Sequence, residues 1–272
     1  MYNIHMKMLS SQGFYIFNLY VTFYGLIIAS AMIVGIIVAY FICTKKNLNK
    51  DMPIDLAIFA LPLAVIGARI YYCLFNPVSS FIEVFEIWKG GLAIYGGVIG
   101  GFLGVILCCK IKHYSLAQAC DLAAPCLILG QAIGRIGCYF AGCCYGVETT
   151  IDSMKVFPIS VQIDGVWHLS TFFYESFLNL IGFIILLCVV LRSKKIGTTT
   201  ALYLIYYGTV RCILEQFRDP KECLTILNSS LRVSQILSFV LVIVGVVIIV
   251  ILSKKVRWVQ SHEWIQNNKK RL

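Results

Sequence analysis

The sequence predicts an all-α polytopic membrane helix bundle with about seven transmembrane helices, the N-terminus outside and the C-terminus cytoplasmic. Three observations carry this. Of 272 residues, 59% are hydrophobic and only 13% charged, about half the charged fraction of a soluble domain. Several apolar runs approach the ~20 residues that a helix needs to cross a bilayer core. The net charge of +10 is confined largely to the segments between those runs, where its sidedness can be read.

Taken in order, the candidate spans cover residues 14–43, 53–75, 91–109, 115–134, 171–191, 197–214 and 232–252, with an outer polar segment at 135–170, all within one integral-membrane domain covering 1–272. If the chain weaves through each span, fourteen of the 23 lysines and arginines fall on one side, from Lys45 and Lys46 through Arg192 to Lys269, Lys270 and Arg271. The positive-inside tendency makes that side cytoplasmic. The basic excess therefore belongs to a membrane surface and requires no nucleic acid. The first twelve residues, "MYNIHMKMLSSQ", do not resemble a cleaved signal, because the apolar run that follows is too long for a signal h-region. The basic tail, with Trp258 and Trp264, reads either as an interfacial anchor or as a solvated end.

Ionisable residues inside spans are costly unless paired or hydrated, so they mark function. Arg69 lies in "GARIYYCLF", Asp121 in "LAQACDLAAPCL", Arg135 at the end of the fourth span and Glu175 at the start of the fifth. The sixth ends in "YYGTVRCILEQFRDP", where Arg211, Glu215 and Arg218 share a helix side at spacings of four and three. Arg69, Arg135, Arg211 and Arg218 fall near the outer ends of spans two, four and six. Guanidinium groups gathered at one depth point to a pocket for an anionic head group, since the planar fork holds phosphate in a bidentate way. The competing reading is that each arginine snorkels to the interface or pairs with a nearby carboxylate. In "WKGGLAIYGGVIGGFLG", Gly97 and Gly101, and Gly100 and Gly104, have the small-xxx-small spacing of close helix packing, and glycines bracket Tyr95.

Most of the twelve cysteines lie in or beside spans, where a thiol is a small hydrophobe. The exceptions are Cys223, alone in a polar loop, and "GRIGCYFAGCCYG", residues 134–146, with Cys138, Cys143 and Cys144. No second half completes a zinc-binding pattern, His168 is the one nearby candidate in the same outer segment, and no metal is expected. A Cys138–Cys143 or Cys138–Cys144 disulfide, plain substitution and thiol chemistry all stay open.

The blocks "FYGLIIASAM", "GARIYYCLFNP", "WKGGLAIYGG", "GRIGCYFAGCCYG", "YYGTVRCILEQFRDP" and "RVSQILS" occur in this order over most of the chain. Together they resemble the bacterial prolipoprotein diacylglyceryl transferases, seven-span enzymes of the cytoplasmic (inner) membrane. The resemblance implies transfer of the diacylglyceryl group of phosphatidylglycerol to the lipobox cysteine of a prolipoprotein, forming a thioether and releasing glycerol phosphate. Its implied partners are phosphatidylglycerol, prolipoprotein signal peptides and membrane lipids, and no cofactor is needed because the displacement involves no redox change. Carried over residue by residue, Arg135, Arg211 and Tyr95 take the catalytic positions. Arg135, Arg69, Tyr24, Tyr207, Gly146 and Arg218 would bind the head group, and Asp121, Glu175 and Glu215 would pair with charges.

The departures are specific. Tyr95 stands where the family has a histidine, Cys138 where it usually has asparagine and Cys143 where it has an acidic residue, and "HLSTFFYES" keeps Tyr174 and Glu175 without the family's His-Pro. A tyrosine ordinarily titrates near ~10, so a base at that position needs neighbouring cations that favour phenolate. Two further readings are a divergent paralogue that binds an anionic lipid without transfer, and a membrane thiol oxidoreductase built on Cys138, Cys143 and Cys144.

Overall fold

The computed structural model describes residues 13–16, 19–76, 84–85, 91–219 and 232–253. The N-terminal twelve residues and the basic tail with Trp258 and Trp264, both read from sequence above, lie outside them. Seven helices are present among the described residues: α1 (Phe23–Lys46), α2 (Met52–Phe75), α3 (Ile94–Lys112), α4 (Leu116–Ala141), α5 (Thr171–Arg192), α6 (Thr198–Glu215) and α7 (Val233–Leu252). Six are long and apolar enough to cross a membrane. The remaining one, α6, is the most polar because it carries Arg211, Glu215 and a run of tyrosines. This is a polytopic helical membrane protein. Its exposed side chains agree, since α7 turns Phe239, Ile243, Val250 and Ile251 outward, a surface that is costly in water and ordinary in lipid.

Two helix boundaries depart from the sequence reading. Helix α1 starts at Phe23, not near residue 14, because residues 13–22 form a two-stranded hairpin, β1 (Gly13–Ile16) with β2 (Leu19–Thr22), in which Phe14 pairs with Val21. A short aromatic and β-branched run suits a strand as well as a helix. Helix α4 continues to Ala141, so Arg135 and Cys138 are helical and do not belong to a polar segment beginning at 135. Gly134 and Gly137 do not break it. Each leaves room for a neighbour instead: a Cβ at Gly137 would sit 2.8 Å from the Tyr24 ring, and one at Gly134 3.3 Å from Ile28.

The described residues divide into two compact units, one within 39–122 and the other within 13–38 and 123–253. In the first, α2 and α3 pack closely. Gly96, Gly100 and Gly104 are all buried on one face of α3, and a Cβ at Gly104 would approach the Phe59 carbonyl oxygen to 2.6 Å. Gly97 and Gly101, one residue on, meet only Ala68 and Ala64 at ordinary distances of 3.6 and 3.5 Å. The backbone-to-backbone stripe is thus 96/100/104, the small-residue contact that substitutes for a hydrophobic driving force inside lipid.

In the second unit α7 lies against α6, with Gly208 and Gly245 each 2.8 Å, at a built Cβ, from a carbonyl oxygen of the other helix (Ser238 and Ala201). Helix α5 is held to α4 by Ser176 Oγ donating to Ala132 O at 2.7 Å, and α6 to α5 by Tyr206 OH donating to Leu178 O at 2.6 Å. A second hairpin, β3 (Ser160–Ile163) and β4 (Val166–Leu169), turns at Asp164–Gly165 with φ of 50° and 84°, the left-handed pair that a tight hairpin of this length requires. It leads directly into α5, and so sets where Glu175 enters.

Candidate functional site

Three helices of the second unit bring charge together. On α6, Tyr203, Tyr207, Arg211 and Glu215 recur every four residues and form one stripe, the two phenol rings stacked at 5.8 Å and nearly parallel. On α4, Gln131 and Arg135 face the stripe: Gln131 Nε2 donates to Tyr203 OH at 3.0 Å, and Arg135 hydrogen-bonds the Tyr207 phenol. From the second turn of α5 comes Glu175, 4% exposed.

Glu175 is the hub. Its Oε1 accepts from Arg135 Nη2 at 2.9 Å and its Oε2 from Arg211 Nη1 at 3.0 Å. Arg211 turns its other terminal nitrogen to Glu215 Oε2 at 2.7 Å, and Arg218 Nη1 lies 3.9 Å from that same oxygen. In this chain of ion pairs three guanidinium groups share two carboxylates, and Arg218 runs on to the Cys144 sulfur. Burying so many charges is costly unless they are paired, and the planar guanidinium fork is the donor geometry that matches phosphate.

The segment after α4 frames this cluster. Gly142, with φ of 60°, ends the helix in the left-handed conformation. Gly142 N–H returns to Tyr139 O at 3.4 Å and Cys143 N–H to Cys138 O at 3.2 Å, the paired bonds of a Schellman turn. That turn folds Cys143 and Cys144 back over Cys138, and Thr171 Oγ1 fixes it by donating to Cys144 O at 2.9 Å. The Sγ atoms of the three cysteines lie within 4.8 Å of one another. Arg218 Nη2 donates to Cys144 Sγ at 3.1 Å, and Arg135 Nη1 lies 4.0 Å from Cys138 Sγ. The Cys144 thiol is held well below the usual thiol range, first by hydrogen bonds from Cys138 and Cys143 and then by the Arg135 and Arg218 charges, against the opposing pull of burial. Cys143 moves the other way, because its proton is held in hydrogen bonds to Cys138 and Cys144.

The residues match a profile for prolipoprotein diacylglyceryl transferase over positions 12–251. The chain belongs to the prolipoprotein diacylglyceryl transferase family. Similar proteins named phosphatidylglycerol--prolipoprotein diacylglyceryl transferase include one from Listeria monocytogenes, 38% identical over 241 residues covering 85% of both chains. One from Finegoldia magna is 35% identical over 240 residues, covering 87% of this chain and 93% of its own. One from Staphylococcus haemolyticus is 35% identical over 259 residues, covering 90% and 89%.

Within this diacylglyceryl transferase family member, Arg135, Arg211, Arg218, Tyr207, Glu175 and Glu215 come together as described. Tyr24 stands beside Gly137, within electrostatic reach of Arg135 and the three cysteines. Gly146 is built into backbone. It bridges to Arg218 in antiparallel fashion, its N–H donates to Leu169 O at 2.8 Å, and a Cβ there would meet Phe217 O at 2.6 Å. A bare glycine therefore fixes where Arg218 leaves α6.

Arg69, Tyr95 and Asp121 belong to the other unit. Buried Arg69 donates from Nε to Val84 O and from Nη1 to Gly91 O, both at 3.0 Å, and stacks over Tyr72. It holds the approach to α3. Tyr95 is half-buried one residue into α3, its ring 6.2 Å from that of Tyr71. Asp121 is fully buried, with Lys46 as a charged neighbour.

Sequence reasoning missed Arg232, which donates from Nη1 to the Glu215 carbonyl oxygen and so places a cation on the C-terminal end of α6. It also missed the hub role of Glu175. The signal for Arg232 was its position just ahead of an apolar helix, in a block the family resemblance already contained.

Proposed function

We propose that this protein transfers the diacylglyceryl group of phosphatidylglycerol to the lipobox cysteine of a prolipoprotein in a bacterial cytoplasmic membrane, with its N-terminus outside. The names of the relatives supply the two substrates. The observation that carries the reading is Glu175 bridging Arg135 and Arg211 within a cluster of three guanidinium groups.

In this reaction the substrate thiolate attacks the glycerol carbon that bears the phosphate. A C–S bond forms, the C–O bond to phosphate breaks, and the electron pair leaves on glycerol phosphate. Charge builds on the departing phosphate, so preorganised donors there lower the barrier more than they stabilise the ground state. Arg135 and Arg211 are such donors. Glu175 fixes both before substrate arrives, and Tyr207 fixes the inner edge of Arg135.

The thiol proton must also leave, because the thiolate is the nucleophile. Tyr95, in the family's histidine position, takes that proton or orients the substrate while water takes it. Tyr95→Phe separates the two: a large loss of transfer assigns the proton to the phenol, and unchanged transfer assigns it elsewhere.

The test of the whole reading is complementation of a bacterial strain depleted of its own diacylglyceryl transferase. Wild type should restore lipidated lipoproteins and growth, and Arg135→Ala should not. Good expression with no rescue by wild type would move the protein to the class of lipid-binding paralogues.

A further inference from the structure

The three thiols beside the arginine cluster form the one group of three or more His, Cys, Asp or Glu ligand atoms gathered closely enough to hold a metal ion among the described residues. We propose that Cys138, Cys143 and Cys144 form a three-thiolate site for a soft monovalent cation of the cuprous type. This stands apart from the transfer reaction, which uses none of the three sulfurs.

Geometry comes first. With metal–sulfur bonds of about 2.3 Å, three sulfurs arranged trigonally around an ion lie about 4 Å apart. The three Sγ atoms already sit within 4.8 Å of one another, so closure needs side-chain shifts of under about an ångström and no backbone rearrangement. The backbone is preset: the Schellman turn at Gly142 returns Cys143 over Cys138, and Cys144 itself holds a left-handed φ of 62°. Keeping a non-glycine residue there is costly. It aims the Cys144 sulfur at its two neighbours and at Arg218.

The donor set selects the ion. Thiolates favour soft ions such as Cu(I) and Zn(II). Structural zinc takes four ligands, and this group has three. His168, the remaining candidate from sequence, turns Nδ1 to Gly146 O at 3.1 Å and stacks on Tyr145 at 4.7 Å. A d¹⁰ monovalent ion accepts three thiolates without a fourth partner. The surroundings favour the lower charge too, since Arg135 and Arg218 stand 4.0 and 3.1 Å from the sulfurs and repel a divalent ion more strongly. Each thiol that becomes a ligand gives its proton to solvent, and no electron moves.

The experiment uses full-length protein in detergent, reduced and then freed of reductant anaerobically, titrated with Cu(I) against a chromophoric Cu(I) chelator. One ion per chain should be held tightly, with a thiolate-to-copper charge-transfer band and an X-ray absorption spectrum of three sulfurs. Cys138→Ser, Cys143→Ser and Cys144→Ser should each weaken capture at least about a hundredfold, the upper end of what losing an outer-shell partner brings. Cys188→Ser, in α5, should leave it unchanged. Ion-free thermal melting of each variant separates a lost ligand from a lost fold, and the serine variants at Cys143 and Cys144, both half-buried where Cys138 is buried, are less exposed to that objection.

Capture that survives all three serine variants would overturn the proposal. So would tight Zn(II) binding with no Cu(I) binding, or a Cys138–Cys143 or Cys138–Cys144 disulfide that persists through the reduction step and leaves no copper site. Failure of lipid transfer with copper capture intact would sink the functional reading and leave this one standing.

Discussion

Each of the two units carries a polar network, one at a partly exposed pair of turns and one buried, and the two are built on opposite plans. At the turns joining α1 to α2 and α3 to α4, Asp55 takes Lys112 Nζ on one oxygen at 2.9 Å and the Tyr114 hydroxyl on the other at 2.7 Å, while Asn49 donates to that hydroxyl at 3.2 Å. One carboxylate meets one ammonium, and the network closes. In the other unit Glu175 and Glu215 are shared among Arg135, Arg211 and Arg218, and the network stays open, running on from Arg218 to the Cys144 sulfur. The choice of cation follows the plan. Lysine supplies a point charge to one partner, whereas a guanidinium fork can engage two partners at once, as Arg211 does. The closed network ties two turns together. The open one shares each carboxylate between arginines.

The largest way to break this contrast is to remove the shared hub. Glu175→Gln leaves two guanidinium groups without their common carboxylate, and stability should fall on the order of 3–5 kcal/mol, the scale of a broken buried pair, measured by thermal unfolding in detergent. Next comes Arg211→Ala, which should lower the rate of transfer by the folded protein by a factor of about 10²–10³ at similar substrate affinity. Arg211→Lys should recover little of that rate, because an ammonium cannot span Glu175 and Glu215 together.

A smaller effect is expected at the turn. Gly142→Ala has open space around the new methyl group but must hold φ of 60°, so it should cost roughly 1–2 kcal/mol, with faster alkylation of Cys143 as the turn loosens. At the closed network, Lys112→Met should leave the melting temperature nearly unchanged, since the lysine side chain is 43% exposed and its pair is screened by solvent, and transfer should be unchanged.

The smallest prediction is a pH slope. Burial first, and then the Asp55 carboxylate, push the Tyr114 phenol above its usual value. Its contribution to stability is therefore complete below about pH 10, the ordinary tyrosine value, and is lost as pH rises through the higher folded value. Tyr114→Phe should flatten the alkaline decline in melting temperature.

What could be read from sequence follows from what the bilayer enforces. A span needs its length of apolar residues, and a charge within it needs a reason, so the helices and the arginines at 135, 211 and 218 were legible before any contact was known. Helix α4 was read seven residues short because Gly134 and Gly137 look like a helix end. Inside a packed membrane helix they make room for Ile28 and the Tyr24 ring. The N-terminal hairpin was hidden for the opposite reason, since its residues are as apolar as the helix they precede.

Glu175 could be seen as a partner for some charge, but which two arginines it joins depends on the rotation of three helices about their axes. The cysteines were the least legible. Their spacing fits no familiar ligand pattern, and only the turn at Gly142 brings the first over to the other two.

The most direct test of the arginine cluster as the phosphate site is transfer in vitro, from phosphatidylglycerol to a lipobox peptide, by purified wild type, Arg135→Ala and Lys112→Met. The open-network account predicts full activity in wild type and Lys112→Met, and a rate reduced about a hundredfold or more in Arg135→Ala with its fold intact. Transfer by folded Arg135→Ala at the wild-type rate would contradict it.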